Sequence, residues 1–387
     1  MSKVQPRTLS GFMELLPARQ AQFDRMVEIL RRTYGLYGFT PLDTPLIEAS
    51  EVLLAKGGGE TEKQIYRFMK GDTDLSLRFD LTVPLAKYVA QNYGHLTFPF
   101  RRFQIGKVYR GERGRFREFY QADIDVIGDG KLDISNEAEI PSIIYKAFTA
   151  LGLKRFQIRV NNRKILNGFY SMLGLTEQSG DVMRTVDKLD KIGPDKVREL
   201  LIEGGVAAEK AEEILKFIAI TGSNQEVLTA LEGYRGRSEV FDAGLDELNT
   251  VVKYLASFGV SETHFAVDLT IARGLDYYTG TVYETTMLDH PEIGSICSGG
   301  RYGGILYRET TPRRGNFHRS DSPVLRFGGP GLSQRRSEHR PRRCAHPAHD
   351  RRPLPRNCPG HPAAGGRHPH PDPRGAEEVQ AEDLLRR

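Results

Sequence analysis

Residues 101–110, RRFQIGKVYR, and 116–127, FREFYQADIDVI, are two alternating stretches joined by the polar run 111–115, and their pairing decides the architecture. Each has the length and composition of a strand, and a short glycine-containing linker closes two such strands into an antiparallel hairpin. In the second arm Ala122, Ile124 and Val126 alternate with Gln121, Asp123 and Asp125. A side-chain period of two sends the apolar set to one face and the polar set to the other. Arg102 and Arg110 share parity in the first arm, so one face can gather guanidinium groups beside carboxylates. Guanidinium forks suit phosphate or carboxylate oxygens, and the neighbouring carboxylates suit a cationic or hydrogen-bond-donating group. The same pattern also reads as a polar sheet face laced with ion pairs.

Working outward from the hairpin, Gln20 to Tyr37 places Phe23, Met26, Val27, Leu30, Tyr34 and Tyr37 three and four apart, which predicts an amphipathic helix. Pro41 and Pro45 then punctuate an extended segment from Phe39 to Ile47. Leu75 to Asp80 reads as a short strand leading into a helix with Thr82 as cap and Pro84 in the first turn. Asn136 to Leu151 predicts a helix and Phe156 to Val160 a strand. From about Arg163 to Gly259 the pattern turns helical, as in Asp195 to Leu201 and Ala207 to Ile218. Strand-like runs return at His264 to Leu269 and Thr281 to Met287.

A second chemical signal is the run 272–280, ARGLDYYTG. One Arg, one Asp and two Tyr stand between glycines that let backbone approach a ligand closely. Alone, it also reads as a turn with two packing tyrosines. Gly57, Gly58 and Gly59 lack the Lys-Ser/Thr of a phosphate-binding loop and the spacing of a dinucleotide fingerprint, so they read as a flexible loop.

At 387 residues the chain has room for two or three domains. Its character breaks near Thr311. From Pro312 onward there are 16 Arg, no Lys, 12 of the 21 Pro, 7 of the 10 His and 2 of the 3 Cys. Against eight acidic residues that tail carries +8, so the chain's +5 leaves −3 for residues 1–311. The basic balance therefore says nothing of a nucleic-acid partner. No segment approaches the roughly 18 apolar residues of a membrane helix and none resembles a signal peptide, which makes a cytoplasmic protein the expectation. Cys297 is the one cysteine before the break, so neither a disulfide framework nor a thiolate zinc site fits there.

Together these residues resemble the histidyl-tRNA synthetase family, class II aminoacyl-tRNA synthetases, from about Arg7 to Tyr302. Phe39 to Glu48 resembles motif 1, whose proline, here Pro45, belongs to the family's dimer interface. Arg101 to Gly128 resembles motif 2, and Ala272 to Gly280 the histidine-specific signature. The resemblance implies that Asp80 and Thr82 hold the amino-acid end of histidine, Asp80 meeting its ammonium group. It implies that Arg110 grips the α-phosphate of ATP with Glu112 toward the adenine, and that Gln121 and Asp125 contact histidine, Asp125 accepting from the imidazole. Arg273 corresponds to the signature arginine at the α-phosphate, and Tyr277 and Tyr278 close the histidine pocket. The implied reaction joins histidine to ATP as histidyl-adenylate, then transfers it to tRNA(His). Mg2+ is the implied cofactor, no resident metal site is implied, and the implied assembly is a homodimer.

The resemblance fails after Gly299-Gly300-Arg301-Tyr302, where motif 3 and an anticodon-binding domain are expected. Back-translating residues 312–327 with free codon choice and shifting the frame by one nucleotide can spell Pro-Gly-Val-Gly-Ile-Ser-Ile-Gly-Leu-Thr-Arg-Leu-Phe, a motif 3 sequence. The same offset over 375–386 can spell a piece of the family's anticodon domain. This points to a frameshift between about Tyr302 and Pro312. Rich in Pro and Arg, residues 313–387 are expected to be largely disordered. The histidines and cysteines of the tail match no zinc-finger spacing. Loss of motif 3 is expected to leave the sheet without a central strand and the chain weakly active or inactive.

The expected architecture is an α+β class II catalytic fold, a mainly antiparallel sheet flanked by helices. Residues 1–162 and 260–311 form its core, 163–259 a helical insertion, and 312–387 an aberrant tail. The rival reading is the non-catalytic regulatory subunit of ATP phosphoribosyltransferase, which resembles the same core and lacks an anticodon domain. The motif 2 arginines, Asp125 and the complete 272–280 signature weigh against it, and the signature also weighs against a class II enzyme for another amino acid.

Overall fold

The computed structural model describes residues 5–54, 60–112, 116–271, 278–302 and 322–327. The helix read from periodicity is α1, Pro17–Leu36, burying Leu30 and Tyr34. The extended segment gives β1, Thr40–Pro41, and β2, Ile47–Ala49, followed by the short helices α2, Ser50–Leu54, and α3, Glu60–Gln64. Next come β3, Arg67–Lys70, β4, Thr73–Leu77, and α4, Thr82–Asn92. The hairpin arms are β5, Phe100–Tyr109, and β6, Glu118–Ile127, then α5, Ser135–Ala150, and β7, Phe156–Asn162.

Six helices follow: α6, Arg163–Met172; α7, Ser179–Val186; α8, Leu189–Glu203; α9, Ala208–Ile218; α10, Asn224–Glu232; and α11, Glu239–Ser257. Their caps agree with the sequence: Asn162 accepts from the Lys164 amide at α6, and Ser223 with Glu226 forms a reciprocal capping box at α10. Apolar faces of these helices join the same continuous core as the sheet. The chain returns through β8, Phe265–Val267, β9, Tyr278–Met287, β10, Ser295–Tyr302, and β11, Ser322–Phe327.

Eight strands form one sheet in the order β1-β5-β6-β11-β10-β9-β7-β8, and β2-β4-β3 form a small second sheet. In the large sheet only the outer pairs β1/β5 and β7/β8 are parallel. Every other pairing is antiparallel. One face is apolar: Phe103, Ile124, Val126, Ile158, Val160, Tyr283 and Cys297 pack with Ile140, Ile143, Ile144 and Phe148 of α5. The opposite face carries the alternate, polar residues, and the candidate site lies there.

Two expectations are corrected. The oxygen that caps α4 belongs to Asp80, not Thr82: its Oδ1 accepts from the amides of Thr82 at 3.1 Å and Val83 at 3.0 Å. Asp80 stands just before the helix, where a short carboxylate reaches two of the orphan first-turn donors. The central strand is not missing: Ser322–Phe327 occupies that slot, antiparallel to β6 and β10. Two strands held one strand's width apart present unpaired amides and carbonyls on both sides, so any extended segment that reaches them is favoured there. Pro323, which cannot donate, pairs with Arg301 but lies outside the Val324–Phe327 stretch paired to β6. The rest of the expected disorder over 313–387 falls outside the described residues.

Candidate functional site

The register of the hairpin builds the site. Arg102 lies opposite Asp125, Gln104 opposite Asp123 and Gly106 opposite Gln121, and beyond them the Arg110 amide bonds the Arg117 carbonyl at 2.9 Å. On these three cross-strand pairs every side chain is buried, with Arg102, Gln121, Asp123 and Asp125 fully so. Buried ions of this kind persist only when partnered. Arg102 forms an ion pair with Asp125, and the Tyr302 hydroxyl donates to Asp125 Oδ1 at 3.0 Å.

Farther along the face Arg110 Nη2 donates to Gln121 Oε1 at 3.0 Å and Nε to the Phe79 carbonyl at 3.2 Å. Its guanidinium lies 4.3 Å from the Phe79 ring centroid and 5.2 Å from that of Phe119. Gln121 in turn donates to Asp123 Oδ1 at 3.3 Å. The amide thus relays between a cation and a carboxylate, and stacking fixes the plane of the guanidinium.

The turn from β4 into α4 closes one side. Arg110 bonds Phe79, Arg102 Nη2 reaches the Leu81 carbonyl at 3.5 Å, and Asp80 and Thr82 flank that carbonyl. Ala86 of α4 joins a small apolar group with Ile271, Tyr278, Val282 and Tyr302, in which Tyr278 and Tyr302 are paired across β9 and β10. The structure therefore brings Asp80, Thr82, Arg110, Gln121, Asp125 and Tyr278 to one side of the sheet. Glu112 is half-buried just past Arg110. Arg273 and Tyr277 lie outside the described residues, as do Arg113, Arg115 and Gly57 to Gly59.

Supporting contacts hold this face from beneath and beside. Arg78, 2 % exposed, donates from Nε to the Lys107 carbonyl at 2.7 Å and from Nη1 to the Thr44 carbonyl at 2.5 Å. It presses on Gly106, where a Cβ would collide with its Nη2. Burial lowers the Arg78 pKa, and Asp43 and Asp123 oppose that. Burial also raises the Tyr283 hydroxyl well above its ordinary value, with Tyr278, Cys297, Glu137 and Asp125 adding to it. On the apolar side Glu137 accepts from Arg301 Nε at 2.5 Å and from the Thr281 amide at 3.2 Å, tying α5 to β9 and β10.

Tyr302 was missed as a member of the site, and Arg102, read as a guanidinium of the polar face, had been given no role toward Asp125. Tyr302 is far from the hairpin in sequence, and no local pattern points to it. Arg102 was legible: a hairpin with Arg110 facing Arg117 counts back to Arg102 facing Asp125. Among the described residues no three His, Cys, Asp or Glu side chains gather as a metal site, and no helix is long and apolar enough to cross a membrane.

Comparison with known proteins gives the geometry a setting. Residues 11–314 match the family described as histidyl-tRNA synthetase. The chain is 56 % identical over 313 residues to the histidine--tRNA ligase of Clostridium tetani, covering 80 % of this chain and 71 % of that one. Its fold is similar to the crystal structure of histidyl-tRNA synthetase from Nostoc sp. PCC 7120, with a TM-score of 0.76 and 41 % identity over 84 % of this chain and 74 % of that one. A Bacillus halodurans protein titled ATP phosphoribosyltransferase regulatory subunit/histidyl-tRNA synthetase matches at TM-score 0.71 and 22 % identity, over 84 % and 82 % of the two chains; this is a likeness of fold alone.

Proposed function

The chain belongs to the histidyl-tRNA synthetase family, and from that membership we infer that its chemistry is the ATP-dependent attachment of histidine to tRNA(His) through histidyl-adenylate. The observation that carries this reading is the convergence on one buried polar face of the Asp80 turn, the Arg110–Gln121 pair and the Arg102–Asp125–Tyr302 cluster. In the proposed reaction the histidine carboxylate attacks the α-phosphorus of ATP, and pyrophosphate leaves. Both reactants are anions, so the work is to hold them together and neutralise charge as the pentavalent state forms.

Arg110, its plane fixed by Phe79 and Phe119, is assigned to the α-phosphate, and Glu112 to the adenine side. Asp80 and Thr82 take the amino-acid end of histidine, Gln121 and Asp125 its far end, and Tyr278 closes the pocket. Arg273 and Tyr277 are assigned from the 272–280 signature. Mg2+ is proposed to arrive with ATP, held by phosphate oxygens; the described side chains offer no three-ligand set for it. Histidine-dependent exchange of labelled pyrophosphate into ATP tests the assignment. Exchange that is dependent on histidine and reduced about 100-fold or more by Arg110→Ala supports it. Exchange that ignores histidine sinks it. The regulatory-subunit reading forecasts no exchange even after the reading frame is restored between the codons for about Tyr302 and Pro312, and the 56 % identity to a named ligase stands against it.

A homodimer through the motif 1 region is part of the proposal. Pro45 is exposed beside the exposed Leu46 and Ile47, and Phe68 and Met69 are exposed on β3 of the same small sheet, with β4 between the two strands. Large apolar side chains left exposed in this way favour burial against a partner. The core-and-insertion division at 162/163 and 259/260 and the cytoplasmic setting are likewise proposed. So is a frameshift between about Tyr302 and Pro312, which the end of the family match at residue 314 supports.

A further inference from the structure

Arg102 is the largest fully buried side chain among those described, and its partner Asp125 is equally inaccessible. Its Nε and Nη1 meet no hydrogen-bond acceptor among the described residues. A guanidinium left with two bare donors in the interior is poorly explained as an optimised structural ion pair. Its net effect on the pocket is electrostatic: it cancels the charge of Asp125, the one carboxylate assigned to the imidazole.

We propose that Arg102 is a positioning residue that neutralises Asp125, so that the pocket accepts histidine with a neutral imidazole ring and excludes the imidazolium form. This rests on the reading of Asp125 as a histidine-binding residue. Among the described residues, the ionisable groups on the Asp125 side of the sheet are Arg102 on β5, Asp123 on β6 and Tyr302 on β10, with Tyr278 of β9 paired to Tyr302. A tyrosine hydroxyl ordinarily carries no charge near neutrality. Asp123 has its own opposing cation in Arg78, whose charge it favours. With Arg102 present the Asp125 pocket is electrically balanced, and a neutral ring donates its N–H to the carboxylate without adding charge. A protonated ring would bring an uncompensated cation into a buried site, which is costly. With Arg102 removed, the bare carboxylate would instead favour the cation.

Equilibrium dialysis of labelled histidine against the full chain from pH 7.5 to 5.5 tests this, with 1,2,4-triazolylalanine as an isostere whose ring stays neutral over that range. The imidazole pKa is about 6.5, so the expected result is about tenfold weaker histidine binding at pH 5.5 and unchanged triazole binding. In Arg102→Met the loss should shrink to less than about twofold or reverse, while Arg102→Lys, which keeps the charge, should restore the tenfold loss. Arg102→Gln, a polar but uncharged replacement, carries the same forecast as Arg102→Met if that variant does not fold. A purely structural role would weaken binding at every pH and leave the profile unmoved, and that result overturns the proposal while leaving the functional reading intact. Absence of histidine binding by the unaltered chain at every pH overturns both.

Discussion

Asp80 serves two masters, and substitutions can separate them. Its Oδ1 satisfies the Thr82 and Val83 amides at the head of α4, while its charge is assigned to the histidine ammonium group. Asp80→Asn keeps a cap oxygen and removes the charge. Thermal melting should stay within about 0.5 kcal/mol of the parent, since Asn and Asp cap about equally well, while histidine affinity drops about tenfold or more. Asp80→Ala should lose affinity and about 1 kcal/mol of stability together. A second residue, Asp268, makes a forecast about acid. Burial would raise its pKa, but the ion pair with Arg159 at 2.6 Å and the Thr270 hydrogen bonds outweigh burial and lower it. A carboxyl that binds its proton less readily when folded stabilises the fold above its unfolded pKa of about 3.9, and loses that contribution as pH falls through the folded value. Urea titrations from pH 6 down to 3 should show a shallower loss of stability in Asp268→Asn than in the parent.

Helices α6 and α11 cross closely enough that each places a glycine against the other's backbone. A Cβ on Gly168 would stand 2.5 Å from the Phe241 amide nitrogen and 2.6 Å from its Cα. One on Gly244 would stand 2.7 Å from Lys164 Cβ. Neither neighbour is a flexible side-chain tip, so the helices themselves must separate. Beside this crossing Phe169 stacks on Phe217 at 3.8 Å between centroids, and Tyr234 and Phe241 pack around them. Gly168→Ala should cost about 1–3 kcal/mol, read as a fall of several degrees in melting temperature, despite the higher helix propensity of alanine. Elements with strong periodicity were legible in the sequence, among them α1, the β5/β6 hairpin and α9. Strand β10 was not foreseen, because its Ser-, Gly- and Cys-rich run alternates weakly. The glycines at the α6/α11 crossing were silent too, since a helix sequence does not say which neighbour will touch it.

For the whole molecule the decisive element is β11, the strand that bridges β6 and β10 and so makes one eight-stranded sheet. It completes the backbone pairing, while the frameshift proposal holds that its side chains are not those of motif 3. Restoring the frame by a single-base change between the codons for about Tyr302 and Pro312 should raise histidine-dependent pyrophosphate exchange about 100-fold or more over the chain as it stands. Equal exchange by the two forms would show that β11 alone suffices. Within residues 1–302 the sequence by itself determined the hairpin, the polar and apolar faces of the sheet, and the facing of Arg102 on Asp125, because these follow from a period of two and a count across one short loop. The tertiary structure alone decided that Asp80 caps α4, that Tyr302 reaches Asp125, and that a tail read as disordered supplies a central strand. Those outcomes depend on which unpaired backbone and side-chain groups happen to lie within reach once distant segments have packed, and no local pattern of residues encodes that proximity.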